Sequence, residues 1–492
     1  MVFYSTRSKD IQANSAEAVL KGIAPDGGLY TPLDFESMRI DLSSLLGKSA
    51  VEISAEVIGK ILDDFTPEEM RALIEAAYAG KFETEDLTPV EKVGGDFVLE
   101  LFRGPTSAFK DVALSVLPRL IVASREKLGV KDEIVILTAT SGDTGKAALE
   151  GFHDVAGTRI AVFYPDGGVS DVQKAQMVTQ EGGNVRVCAV RGNFDDAQTG
   201  VKRIFADDSR NGWAALSGAR LSSANSINIG RLAPQVAYYF KAYCDLVLGG
   251  EISLGDPVNF VVPTGNFGDI LAGEFARRMG LPVAKLVCAS NANNVLTDFI
   301  NTGVYDKRRD FYKTASPSMD ILVSSNLERY LFMASGGDFE LVSRLMADLN
   351  EKGVYTAPET LMSTMRDHFA AACADDRAAL EAIGRVWREH GYLMDTHTAV
   401  GWAALEQFKA TQDNGYANIV LSTASPYKFC RDVLSAISDQ VPADGFEAMD
   451  RLHALTQVPV PPRLAALRDK PARFKDCVDR DGMLEYVREM LG

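Results

Sequence analysis

The segment Gly104-Pro105-Thr106-Ser107-Ala108-Phe109-Lys110-Asp111 sets a lysine between two patterned stretches. Before it runs an apolar, strand-like segment (Phe97, Val98, Leu99, Leu101, Phe102), and after it a helical pattern from about Val112 to Lys127. A lysine buried at a strand–helix junction sheds its hydration, so its neutral amine becomes accessible near neutral pH. A neutral amine is what condenses with an aldehyde to a Schiff base, and what afterwards takes up a proton as a base. Taken alone, Lys110 has a plainer reading as a solvated charge ahead of a helix.

Three more turns bear on that choice. Thr138-Ala139-Thr140-Ser141-Gly142-Asp143-Thr144-Gly145 follows the apolar run Ile134–Leu137. Pro263-Thr264-Gly265-Asn266-Phe267-Gly268-Asp269 follows Val258–Val262, and Leu421-Ser422-Thr423-Ala424-Ser425-Pro426 follows Ile419-Val420. All read as strand-to-helix turns rich in Gly, Ser and Thr, where free backbone N–H groups and a positive helix end attract anions. Three such turns with a lysine at a similar junction suggest a phosphorylated cofactor and a phosphorylated substrate. Gly265 and Gly268 permit close backbone approach, while Asn266, Phe267 and Gly268 offer N–H donors. One near match misleads: Gly142-Asp143-Thr144-Gly145-Lys146 echoes a nucleotide-binding loop. Position 140 is Thr and position 147 is Ala, so the magnesium-binding hydroxyl is missing.

The motifs SAFKD, TATSGDTG, NSINIGR and PTGNFGD, with the earlier GIAPDGGLY, occur in one order along the chain. That set resembles threonine synthase of the longer, fungal and enterobacterial type, a branch of the pyridoxal-phosphate enzymes related to the tryptophan synthase β-subunit. The resemblance covers about residues 3 to 430. It implies conversion of O-phospho-L-homoserine and water to L-threonine and phosphate, with pyridoxal 5'-phosphate as cofactor and Lys110 as its anchor and general base. It further implies cofactor contacts at Asp143, Gly265, Asn266, Phe267, Gly268, Asp269 and Thr423, the last as hydroxyl partner of the pyridine nitrogen. Many relatives of this fold carry Asn where this chain has Asp143, and His where it has Ser425. A substrate phosphate would be gripped by Asn225, Ser226 and Arg231, with hydroxyls from Thr140 and Thr144, and Ser141 would hold the carboxylate. Arg231 supplies a planar, permanently charged fork suited to a phosphate dianion. Asp143 has a second reading as N-cap of a helix starting at Thr144, and Arg231 a second reading as an ion-pair residue. Two other functions stay open: a sister lyase such as a serine/threonine dehydratase, which has no need of Asn225, Ser226 and Arg231, and a non-catalytic phospho-ligand-binding relative.

Composition narrows the partners. The 492 residues carry 51 basic and 67 acidic side chains, a net charge of −16, which argues against nucleic acid and anionic membrane partners. Six cysteines lie far apart with no CxxC pair, and five histidines show no metal-ligand spacing, so scattered thiols in a reducing compartment are the expected state and no metal is implied. Neither a signal-like start nor a membrane-length apolar run occurs, so a cytoplasmic enzyme acting on a small molecule is expected, as a monomer or weak homodimer. Asp395-Thr396-His397 holds an Asp/His pair without a nucleophile elbow, which favours a packed or capping histidine.

The elements that must position these residues alternate. From Phe97 to Leu286, short β-branched runs alternate with amphipathic stretches, the pattern of βαβ units with ligands at the carboxyl ends of parallel strands. The expected class is α/β: two parallel-sheet domains of the fold-type II pyridoxal-phosphate kind, with a helical N-terminal region and a mainly helical insertion. The division reads 1–95 helical, 96–245 the smaller domain with the TSGDTG and NSINIGR motifs, 246–430 the larger cofactor domain with the insertion at about 291–390, and 431–492 a helical tail. Lys110 falls at the domain interface.

Overall fold

The computed structural model describes residues 1–491, and two parallel sheets organise it. The larger has the strand order Phe369–Cys373, Val283–Ser290, Val258–Pro263, Ala417–Ser422, Asp96–Glu100, Val90–Val93. Its neighbours pair in parallel, apart from the antiparallel hairpin Val90–Val93/Asp96–Glu100 at one edge. The smaller sheet runs Cys477–Asp479, Val185–Arg191, Thr158–Pro165, Glu133–Ala139, Ala219–Ser222, parallel throughout. Central strands such as Val258–Pro263 are buried along their whole length, which requires helices on both faces and explains their unbroken apolar sequences.

Two long helices join the sheets. Lys110–Lys127 leaves the larger sheet for the smaller, and Ile229–Leu248 returns, each with a proline inside, Pro118 and Pro234. Both are buried around most of their circumference and pack on each other, which suits helices enclosed between two layers.

Sequence and structure part in four places. The N-terminal region has the expected helices, with capping boxes at Asn14/Glu17, Ser49/Glu52 and Thr66/Glu69. It also holds an unexpected antiparallel sheet, Ser8–Ala13, Phe3–Ser5, Tyr30–Pro32; two of its strands span three residues, too few to display an alternation. Asp96–Glu100, assigned to the smaller domain at the 96 boundary, pairs with Ala417–Ser422 of the larger sheet. The insertion at 291–390 is not purely helical: Phe369–Cys373 extends the larger sheet, and Val304–Asp306 pairs with Val354–Thr356. The three alanines within that edge strand favour helix intrinsically, and tertiary pairing overrides them. Finally, the tail beyond 431 contributes Cys477–Asp479 to the smaller sheet and packs Met483 and Val487 into its core. Among the described residues no helix is long and apolar enough to cross a membrane, and no cluster of His, Cys, Asp and Glu is arranged to hold a metal ion.

Candidate active site

Lys110 is delivered by a loop stitched to the end of the neighbouring strand. After Asp96–Glu100, Leu101 N–H donates to the Ser422 carbonyl (2.9 Å), Phe109 N–H to that of Thr423 (2.8 Å), and Ser425 N–H to that of Ser107 (3.1 Å). Ser107 takes a left-handed conformation, φ 59°, to make the bend. The Asp111 carboxylate folds back onto Thr106, accepting from its N–H (2.7 Å) and Oγ1 (2.6 Å), which fixes the segment just before the lysine. Lys110 is thus the first residue of its helix and only 7% exposed. Burial brings its ammonium down to about 8; Asp143 works against this, while Arg231 and Lys428 add to it.

The turn after Glu133–Ala139 folds on its own hydroxyl: Thr140 Oγ1 accepts from the N–H groups of Gly142 (2.9 Å) and Gly145 (2.8 Å). Gly142 has φ 135°, a conformation that side chains other than hydrogen avoid. The helix begins at Asp143, with Gly142 at the cap and no side-chain cap bond. Asp143 is therefore not an N-cap. As the first helical residue it sends its carboxylate inward, to Lys428 Nζ (2.7 Å), Gln173 Nε2 (2.8 Å) and Lys110 Nζ (3.9 Å). Burial would raise this carboxyl, but the Lys428 and Lys110 ammonium groups outweigh it and hold Asp143 well below the usual carboxylate range.

The turn after Val258–Pro263 is built differently. Phe267 sits in the left-handed region, φ 59°, at the N-cap of Gly268–Arg278, and no side chain caps that helix. Among the described residues the N–H groups of Gly265 to Asp269 find no acceptor. Asp269 Oδ1 accepts from the hydroxyls of Tyr238 and Tyr239, while its Oδ2 is buried without a partner. Burial lifts this carboxyl to about 6, with the tyrosine hydroxyls pulling the other way.

Arg231 lies in the first turn of Ile229–Leu248 and is 4% exposed. Its Nη1 donates to the Ala224 carbonyl (2.8 Å), its Nε has no partner, and no carboxylate among the described residues pairs with it. Burial lowers this guanidinium to about 10. The ion-pair reading of Arg231 therefore fails, and the guanidinium is a buried cation in want of an anion.

These pieces meet at one cavity of about 300 Å³. Every residue singled out by sequence lines it except Asp143, which lies behind Lys110: Thr140, Ser141 and Thr144 from one turn, Gly265 to Asp269 from another, Asn225, Ser226 and Arg231, Lys110, and Thr423.

Comparison with known proteins fits this arrangement. A family model described as pyridoxal-phosphate dependent enzyme matches residues 87–423. Models for the threonine synthase N terminus and C-terminal region match 2–78 and 398–489. The threonine synthase of Eremothecium gossypii is 37% identical across 100% of this chain and 98% of its own. The chain belongs to the threonine synthase family. The crystal structure of PLP-bound threonine synthase from Brucella melitensis superimposes with a TM-score of 0.88 at 35% identity, covering 100% of this chain and 99% of the other. The human protein threonine synthase-like 1 is 40% identical over 86% of this chain, which spans 58% of that protein's length.

Beyond the threonine synthase motifs, the structure adds Lys428 beside the cavity, residues 317–319 on its wall, and a positioning role for His397, which the sequence marks only as a packed or capping histidine. Lys428, fully buried, ties Asp143 to the Thr106 carbonyl (2.9 Å); a lysine between Tyr427 and Phe429, just past the Thr423 turn, was the available signal. Residues 317–319, within the insertion, line the cavity, and Ser318 Oγ lies 3.5 Å from Lys110 Nζ. His397 also lines it and steadies that segment: its Nε2 accepts from Ser318 N–H (3.1 Å), which leaves Nδ1–H to donate to Asp395 (2.8 Å). Asp395 caps the helix Thr396–Gln412 through the N–H groups of His397 and Thr398.

Proposed function

We propose that this chain makes L-threonine and phosphate from O-phospho-L-homoserine and water, with pyridoxal 5'-phosphate held at the cavity. The observation that carries the reading is a pair of anion-seeking positions on one cavity that also holds a low-pKa lysine: the uncapped helix end at Gly268 and the unpaired guanidinium of Arg231. A single phosphate would leave one of them without a counter-charge. A cofactor phosphate and a substrate phosphate supply both.

The residues fit the cofactor. The free N–H groups of Gly265 to Asp269 would hold its phosphate, Lys110 its aldehyde, and the Thr423 hydroxyl its ring nitrogen. When bound, it supplies a conjugated electron sink that stabilises carbanionic charge next to an amino group. The chain's own groups do the rest. Lys110 Nζ, brought down to about 8 by burial, gives up its proton more readily than an ordinary lysine, which suits a base toward the substrate Cα proton that returns a proton later. Asn225, Ser226 and Arg231 would bind the substrate phosphate and keep it in place after it leaves the carbon chain, with Thr140 and Thr144 adding hydroxyls and Ser141 taking the carboxylate. The segment 317–319 shields the cavity from bulk water. Each chain carries all these residues, which supports a monomer or weak homodimer, and the two sheets with their helices are the two bodies between which the substrate enters. A cytoplasmic location agrees with the free thiols.

The test is an absorbance spectrum of the purified protein and of Lys110→Ala, followed by O-phosphohomoserine addition with threonine and phosphate assays. A visible band that changes in the variant, together with both products, supports the proposal. A band without products moves the function to a sister lyase, and no band after pyridoxal phosphate addition overturns the reading.

A further inference from the structure

Lys428 belongs to none of the motifs, yet it is 0% exposed, against 7% for Lys110. It rides on the short 3-10 turn Pro426–Phe429, just beyond the strand end that carries Thr423. Its carbonyl accepts from Ser170 Oγ (3.1 Å), at the cap of the helix Asp171–Val178. Its ammonium donates to the Thr106 carbonyl (2.9 Å) and meets Asp143 Oδ1 at 2.7 Å. Gln173 Nε2, from the same 171–178 helix, reaches that oxygen at 2.8 Å. So Oδ1 is engaged twice, while Oδ2 is left toward Lys110 at 3.9 Å, beyond hydrogen-bond range. Two lysines share one carboxylate, and the geometry ranks them.

We propose that Lys428 is a positioning residue that keeps Asp143 ionised and charge-balanced, so that Lys110 enters the cavity as an uncommitted amine and not as half of a salt bridge. The inference rests on the reading of Lys110 as cofactor anchor. A buried carboxylate with Lys110 as its only cation would hold a proton on Lys110, since opposite charges at such distances attract more strongly inside protein than in water. With Lys428 seated, the Asp143 charge is already answered. The other charged groups facing Lys110 are Arg231 from the helix Ile229–Leu248 and Asp269 from Gly268–Arg278, and His397 lines the same cavity. Arg231 discourages a proton on Lys110 as Lys428 does, and Asp269 is occupied by Tyr238 and Tyr239. The directions agree: Lys110 is brought down by burial in spite of Asp143, and Asp143 is held low in spite of burial. An ionised carboxylate only accepts hydrogen bonds, so Oδ2 is kept ready for a group that carries a proton.

The test uses full-length apoenzyme as wild type, Lys428→Met, Lys428→Arg, Asp143→Asn and the double variant D143N/K428M. Pyridoxal phosphate is added from about pH 6 to 10 and the rate at which the visible band appears is recorded, because only neutral Lys110 condenses. Wild type should show a midpoint near 8. Lys428→Met should move it up by about one unit or more, a roughly tenfold slower reaction below the midpoint. Asp143→Asn should move it down, the double variant should return toward wild type, and Lys428→Arg should keep the wild-type midpoint. A packing role would lower the amplitude without splitting the midpoints in opposite directions. An unmoved midpoint in Lys428→Met, or one that falls as in Asp143→Asn, overturns the proposal. If Lys428→Met does not fold, the double variant decides, since it buries no lone charge: a return toward the wild-type midpoint supports Lys428, and a midpoint as low as Asp143→Asn alone overturns it. Failure of wild type to develop any band overturns both this inference and the function proposed above, whereas a normal wild-type band with an unmoved Lys428→Met midpoint removes only Lys428.

Discussion

Two glycine-rich strand-to-helix turns line the same cavity, and they are finished in opposite ways. The turn at Thr140–Gly145 is closed from within: its own hydroxyl satisfies the Gly142 and Gly145 N–H groups, and its carboxylate is engaged by Lys428 and Gln173. The turn at Gly265–Asp269 is left open, with no cap, a left-handed Phe267 and a row of N–H groups without acceptors. Similar residue types therefore serve different ends. A turn that satisfies its own backbone donors presents its side chains from a fixed frame, and a turn that leaves those donors free can receive an anion on the backbone itself.

The comparison has a third member, Lys110, on which both turns converge. Lys110→Ala removes the amine that they surround, and it should cost the most: activity lower by at least about 10³-fold, the upper part of the range for a positioned base, together with loss of the wild-type visible band. A variant that kept both band and turnover would place the anchor elsewhere. Next in size is Arg231→Ala. Among the described residues its guanidinium has no counter-ion, so KM for O-phosphohomoserine should rise by about 10- to 150-fold, or about 1.5–3 kcal/mol for charge-assisted hydrogen bonds. Arg231→Lys should recover little, lacking the planar fork. Unchanged KM and kcat would remove Arg231 from the site.

Gly265→Ala tests the open turn directly. A Cβ there would lie 2.8 Å from the Ser318 carbonyl oxygen and 3.3 Å from Met319 Cα, both backbone atoms of the segment covering the cavity. Either the turn or that segment must shift, and an overpacking cost of about 1–3 kcal/mol should appear as weaker cofactor binding in an absorbance titration of apoenzyme. Binding as tight as wild type would mean that the segment 317–319 moves freely and does not define the cradle.

The same contrast explains what could be read in advance. Both turns announced themselves because each follows a β-branched run and precedes a helical period, so local chemistry and local geometry coincide. Lys428 could not be read this way, because its meaning lies in Asp143 and Thr106, which the fold brings to it from far along the chain. Asp143 misled for the opposite reason: Asp before a helical run suits an N-cap, but the helix starts one residue earlier and frees the carboxylate for the lysines. Sheet membership was hidden as well. Asp96–Glu100 reads as a strand from its own residues, yet only pairing with Ala417–Ser422 shows which sheet it joins. Phe369–Cys373, with its three alanines, carried no strand signal of its own.

The smallest effect bears on the closed turn. Thr140→Val keeps the shape of the side chain and removes the oxygen that accepts from Gly142 and Gly145. Both N–H groups are then buried without that acceptor, as when a helix loses its cap, and about 0.5–2 kcal/mol of stability should go with them. Thermal unfolding of apoenzyme reads this without the cofactor, and Thr140→Ser, which retains the hydroxyl, should give most of it back. Cofactor affinity should stay at its wild-type value in Thr140→Val, because the proposed phosphate cradle belongs to the other turn. If the loss appeared instead in cofactor affinity, with stability unchanged, the division between a turn held by its own hydroxyl and a turn that cradles the cofactor phosphate would be wrong, and Thr140 would hold the cofactor, its bonds to Gly142 and Gly145 being incidental.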